Sequence, residues 1–98
     1  MADSTYILVK TVCIQYQIEP AFLEELHGID LLRIETIAQG KCIHTEALND
    51  LEKILRLHQE LDVNIEGIDV IFNLLKKVDT LQTELSTLKN RLHFYENK

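Results

Sequence analysis

Residues 64–95 constrain this chain more than any other stretch. They contain no Pro, and their only Gly, Gly67, lies near the start. Apolar residues fall at Ile68, Ile71, Leu75, Val78, Leu81, Leu85, Leu88, Leu92 and Tyr95. Their steps of three and four follow a heptad-like rhythm, with one phase slip between Val78 and Leu81. A helix striped in this way buries one narrow seam, and the polar residues between the seam positions suit water. At about 1.5 Å per residue the rod is about 48 Å long, more than the width of a small domain. Its far end is expected to leave its own domain, so that Leu81, Leu85, Leu88 and Leu92 pair with another copy of the chain. Each buried Leu contributes roughly 1.5–3 kcal/mol, enough for four per chain to hold a homodimer. The seam alone leaves parallel and antiparallel pairing open.

The remaining residues suffice for one small domain. Residues 1–63 are expected to form it, with 64–98 as the long helix for self-association. Residues 6–16, YILVKTVCIQY, are rich in β-branched side chains, which favours strand. Leu8, Val12 and Tyr16, with Val9 and Cys13, equally make a helical face. The next residues decide for helix: a short turn, Gln17-Ile18-Glu19, leads to Pro20 at the first position of a second helix. That helix carries Phe22, Leu23 and Leu26 on one side and stops at Gly28. Two short helices across a tight turn make a helix-turn-helix. Residues 31–44 read as a hairpin, LLRIETI and KCIH joined by Ala38-Gln39-Gly40, with Gly where a left-handed conformation is wanted. Thr45 is placed to cap the next helix, in which Leu48, Leu51, Ile54, Leu55 and Leu61 face the core and Glu52–Arg56 form an i,i+4 pair. Asp62-Val63-Asn64 breaks that helix, and Asn64 caps the long one. The expected class is mainly α: a winged helix-turn-helix with a short β-hairpin wing and a long C-terminal coiled-coil-like helix.

Charge separates the functional classes. The net charge is −6, and residues 1–50 hold three basic against eight acidic residues, which places −5 there. Such a surface repels phosphates and attracts a basic protein. The presumed recognition helix, 20–27, offers Glu24 and Glu25 and no Arg or Lys, so duplex DNA is not expected to bind despite Arg33 and Lys41 on the wing. His27, His44, His58 and His93 are scattered without ligand spacing, and Gly28, Gly40 and Gly67 are isolated. No catalytic group, metal, cofactor or small-molecule substrate is therefore expected. MADSTYILVK lacks a basic segment followed by an apolar core, and no apolar run reaches membrane-spanning length. Cys13 and Cys42 have no C-x-x-C partner. A cytoplasmic protein with reduced thiols is expected.

Three segments carry a resemblance: YILVKTVCIQYQIEPAFLEELHGIDLL, then the short wing ending KCIHTEAL, then RLHQELDVNIEGIDVIFNLLKKVDTLQTELSTLKNRLHFY. Together they span most of the chain. The chain resembles the CbpM-type chaperone-modulator family, a reduced MerR-like winged helix. The most specific match is a basic residue-Leu-x-x-Glu-Leu, a short break and a Gly-Ile at the start of the long helix. These are Arg56, Leu57, Glu60, Leu61, Gly67 and Ile68 here. Gln17 and Glu19 depart from the Gly and Ser usual in the turn. The resemblance implies binding to the J-domain of a DnaJ/CbpA-like co-chaperone and inhibition of its stimulation of the Hsp70 chaperone DnaK. The alternative is a MerR-like DNA-binding transcriptional regulator. A J-domain presents a basic helix, so two acidic patches are candidates to meet it. One is Glu24 with Glu25. The other is Asp62, Glu66 and Asp69, where the long helix begins.

Overall fold

The computed structural model describes residues 5–97. The expectation about a signal sequence and the outer ends of the two expected segments rest in part on residues outside that range. The chain divides into two compact units, Met1–Ile65 and Glu66–Lys98.

The first unit opens with a strand, β1 (Tyr6–Leu8), which passes directly into α1 (Val9–Tyr16). The ambiguous run 6–16 is thus both strand and helix, divided after Leu8. Next come α2 (Pro20–Gly28), β2 (Ile34–Ile37), β3 (Gly40–His44), a 3-10 turn (Thr45–Ala47) and α3 (Leu48–Glu60). The strands form one antiparallel sheet in the order β1-β3-β2. The expected hairpin is therefore the larger part of a three-stranded sheet. In the register, Ile7 faces Ile43 and Leu8 faces Cys42 on one side of β3, while Ile34 faces Ile43 and Glu35 faces Cys42 on the other. A two-stranded hairpin alone is marginal in water, and a third strand gives it a buried centre. Accordingly Cys42 and Ile43 have no exposed surface.

Only Ala38 and Gln39 separate Ile37 from its partner Gly40. Neither has positive φ, so this is not a primed hairpin turn. The positive φ falls on Gly40, at 124°, a value an L side chain rarely adopts. The core of this unit comprises Val9 and Val12 of α1, Leu23 and Leu26 of α2, Leu32, Cys42, Ile43, and Leu51, Ile54 and Leu55 of α3. Leu61 does not join them. It lies just past the end of α3 and is 65% exposed.

All three helices of this unit are followed by a left-handed residue, and in none of them is that residue Gly. Gln17 (φ 58°), Asp30 (φ 63°) and Asp62 (φ 60°) adopt the left-handed conformation. One residue later the backbone N–H turns back to a carbonyl in the preceding helix: Ile18 to Cys13 at 3.0 Å, Leu31 to Leu26 at 2.9 Å, Val63 to Leu57 at 3.0 Å. The first two bonds span five residues and are Schellman closures; the third spans six and is a wider turn, and all three satisfy carbonyls that a helix end leaves orphaned. Gly28, expected as the stop of α2, is its last helical residue, and the left-handed position is two residues further on. At the other end, α3 follows Ala47 without a side-chain cap, and it is His44, not Thr45, that caps the 3-10 turn before it. Its Nδ1 accepts from the Glu46 N–H at 3.1 Å, and the 3-10 turn leads into the helix.

The second unit contains one helix, α4 (Ile65–Glu96). It has no interior Pro and only Gly67 near its start, and it runs unbroken for 32 residues.

Candidate partner-binding site

Glu24 and Glu25 both lie exposed on α2, whose opposite face buries Leu23 and Leu26. Their situations differ. The Lys41 Nζ on β3 donates to Glu24 Oε2 at 2.9 Å, which ties the helix to the wing. Glu25 has no such partner among the described residues. The Glu24–Lys41 pair also occupies one of the two wing cations that would otherwise meet a phosphate. What α2 presents to a partner is carboxylate, with no Lys or Arg along its length.

The other expected patch divides between the two units. Asp62 is exposed in the first, at the left-handed position closing α3. Glu66 and Asp69 lie in the first turns of α4, three positions apart and so on one helix face. Glu66 is exposed and Asp69 half-buried. Both also sit where the helix dipole favours negative charge.

Sequence reasoning missed a groove of about 180 Å³ lined by Ile18, Glu19, Phe22, Leu55, His58 and Gln59. Its wall is the Phe22 ring against the His58 imidazole, centroids 5.0 Å apart and tilted by 35°. His58 Nδ1 lies 3.0 Å from the Val63 carbonyl. A carbonyl only accepts, so Nδ1 carries the proton and locks the turn around Asp62. Phe22 and His58 both border the apolar stripes of their helices. That placement was readable, but their meeting depended on how α2 crosses α3. Beside the groove, the Tyr16 hydroxyl donates to Glu52 at 2.8 Å, so Tyr16 takes the carboxylate that the sequence paired with Arg56. That hydrogen bond raises the Tyr16 pKa above the usual tyrosine value, with desolvation and the Glu52 charge adding to it. Partial burial likewise raises the Cys13 thiol.

The other histidines are also engaged locally. His27 Nδ1 accepts from the Ile34 N–H at 3.1 Å, joining the end of α2 to the start of the wing. Among the described residues no group of three or more His, Cys, Asp or Glu is placed to hold a metal ion. No helix among them is long and apolar enough to cross a membrane.

Exposure does not separate the two adjacent leucines of the α4 seam, whereas the continuity of the stripe does. Leu74 is 53% exposed and Leu75 52%. Taking Leu74 as the seam residue gives Ile71, Leu74, Val78, Leu81, Leu85, Leu88, Leu92 and Tyr95, an unbroken alternation of three and four. The phase slip vanishes, and Leu75 flanks the stripe. Leu81, Leu85, Leu88 and Leu92 are each between 52% and 62% exposed.

Comparison with known proteins agrees with this architecture. Over 42 residues the chain is 43% identical to the chaperone modulatory protein CbpM of Pseudomonas entomophila (strain L48). That stretch is 43% of this chain and 42% of the relative's length. No solved structure matches. The model of the MerR HTH family regulatory proteins matches residues 7–90, which takes in the helix-turn-helix, the sheet, α3 and most of α4. Its name and that of CbpM describe regulation rather than catalysis. With the winged fold in place and most of its length matched, the chain belongs to the MerR HTH family of regulatory proteins.

Proposed function

We propose that this chain is a chaperone modulator of the CbpM type. In this reading it acts in the cytoplasm as a non-catalytic adaptor. It binds the J-domain of a DnaJ/CbpA-like co-chaperone and lowers that protein's stimulation of DnaK. Residues 1–63 supply the partner-facing domain, and 64–98 hold two copies together through Leu81, Leu85, Leu88 and Leu92.

The observation that carries the reading is the acidic α2 on a MerR-type scaffold, in a chain similar to a named chaperone modulator. On a DNA-binding scaffold this helix would face phosphates, and each carboxylate there costs affinity. A basic helix of a J-domain gains from the same charges. Glu24, Glu25, Asp62, Glu66 and Asp69 are the proposed contacts, with Glu25 the best probe because it has no ion-pair partner among the described residues. The family match favours a second reading, a transcriptional regulator that binds DNA through the same helix and wing.

Surface-plasmon kinetics with the cognate J-domain separate the two. Opposite charges across an interface speed association and make it fall with salt. Glu25→Lys, or Glu66→Lys with Asp69→Lys, is expected to slow association and flatten its salt dependence while far-UV circular dichroism stays unchanged. If neither reversal changes binding, the electrostatic argument fails. If no J-domain binds and a gel shift shows sequence-selective DNA binding, the second reading replaces the first.

A further inference from the structure

We infer that His27 is a pH-dependent clasp between α2 and the wing. Neutral, it holds the outer edge of β2 through the Ile34 N–H. Protonated, it releases that edge and donates to the Leu32 carbonyl instead. The inference stands whether or not α2 meets a J-domain.

The sheet register shows what His27 holds. In an antiparallel pair, residues that exchange backbone hydrogen bonds alternate with residues that do not. The Thr45 N–H donates to the Thr5 carbonyl at 2.7 Å, one step beyond the facing pair Tyr6 and His44. Two residues back, Ile43 therefore turns its backbone groups toward Ile7 of β1, and Cys42 turns its own toward Glu35 of β2. Ile34, next to Glu35, then directs its N–H away from β3, to the outer edge of the sheet. Such an edge leaves an amide without a ladder partner. The His27 Nδ1, 3.1 Å away, supplies one.

The same nitrogen lies 3.2 Å from the Leu32 carbonyl oxygen. One nitrogen cannot serve both groups at once. The Ile34 amide only donates, so it needs the Nδ1 lone pair, with the ring proton on Nε2. The carbonyl only accepts, so it needs a proton on Nδ1. Imidazolium carries a proton on both nitrogens, so charging the ring removes the first bond and makes the second. Histidine is the side chain that ordinarily changes charge between about pH 5 and 8. His27 is exposed, which gives the proton a path from water.

The hollow beside the ring brings up Asp30 and Arg33 from the α2–β2 connection and Asp50 from α3. These are the charges that meet the imidazolium when it forms. Glu24, one turn earlier on α2, is bonded to Lys41, and Glu35 on β2 accepts from the Tyr6 hydroxyl at 3.5 Å. The switch also changes what α2 presents. Glu24 and Glu25 are its only other charged side chains, so a proton on His27 halves the negative charge of the helix. Release of the wing edge and loss of that charge occur together.

Nuclear magnetic resonance on the 15N-labelled full chain tests the clasp, titrated from about pH 8 to about pH 5. Long-range imidazole spectra are expected to show His27 protonated on Nε2 alone at the alkaline end. As the ring titrates, the Ile34 amide proton is expected to shift upfield with the same midpoint. Its protection from hydrogen exchange, corrected for the intrinsic pH dependence of exchange, should fall about tenfold, the effect of losing one hydrogen bond. His27→Gln does not titrate, so its Ile34 amide should show no such step. A proton on Nδ1 at the alkaline end places the bond on Leu32 at every pH and overturns the inference, as does a ring that stays neutral throughout. An Ile34 amide that ignores the titration of His27, or that responds equally in His27→Gln, overturns it too.

Discussion

Gln17→Gly is expected to stabilise the protein. Gln17 closes α1 with φ 58° and ψ 49°, and its own N–H and that of Ile18 both return to the Cys13 carbonyl. An L side chain in this conformation brings Cβ close to the following carbonyl oxygen, at a cost of roughly 1–2 kcal/mol. Glycine removes that clash but gives the unfolded chain more freedom, which returns about 0.5–1 kcal/mol. The difference is a gain of about 0.5–1 kcal/mol, and in a unit of this size about 1 kcal/mol moves Tm by 4–8 °C. The expected rise is therefore about 2–8 °C, read by thermal and urea denaturation. Gln17→Ala is the control: it trims the side chain but keeps Cβ, so it leaves Tm close to the parent. Asp30→Gly should gain less, because Asp tolerates the left-handed region through local hydrogen bonding. If Gln17→Gly lowers stability, or Gln17→Ala matches its gain, the left-handed turn is not what limits the α1–α2 connection.

The groove and its neighbours give two further expected outcomes. His58→Ala removes the hydrogen bond to Val63 and the ring contact with Phe22; a loss of about 1–3 kcal/mol in urea denaturation is expected, and no loss would show that the turn around Asp62 holds without them. The raised Tyr16 pKa means the folded chain keeps its phenolic proton longer than the unfolded chain does, so this stabilisation is complete below pH 10 and is lost as pH climbs above it. Tyr16→Phe should abolish that part of the alkaline decline, and a pH profile identical to the parent's would refute it.

The elements legible in the sequence were those with a strong local signal. Pro20 marked the start of α2, Gly40 the hairpin, and the heptad rhythm the long helix, observed at Ile65–Glu96. The division of residues 6–16 was hidden because the pairing of β1 with β3 joins residues far apart in sequence, and no local preference reports it. The phase slip in the seam came from the adjacent pair Leu74 and Leu75. Their hydrophobicity is equal, and only the continuity of the stripe on both sides selects Leu74. The helix ends were obscured for another reason. Each left-handed closure is occupied by Gln or Asp, so the Gly rule pointed to Gly28 and passed over Gln17, Asp30 and Asp62.

That masking of helix ends bears on the site. Asp62 is a candidate contact because it is acidic, yet a residue able to adopt φ 60° is needed there whether or not a partner exists. Glu24 likewise has a structural role in its bond to Lys41, and Glu66 and Asp69 suit a helix start. Four of the five candidate acids thus have an explanation in folding alone. Glu25 does not: it is exposed, makes no ion pair among the described residues, and stands on the helix that a DNA-binding relative would turn toward phosphate. Its charge is therefore the one whose reversal reads out recognition with least confusion from stability. For Asp62 the two explanations separate chemically. Asn keeps the left-handed preference and removes the charge, whereas Gly keeps the turn and removes the whole side chain. Equal stability of Asp62→Asn and the parent, with slower association to the J-domain, would assign Asp62 to binding. Equal stability with unchanged association would assign it to the turn.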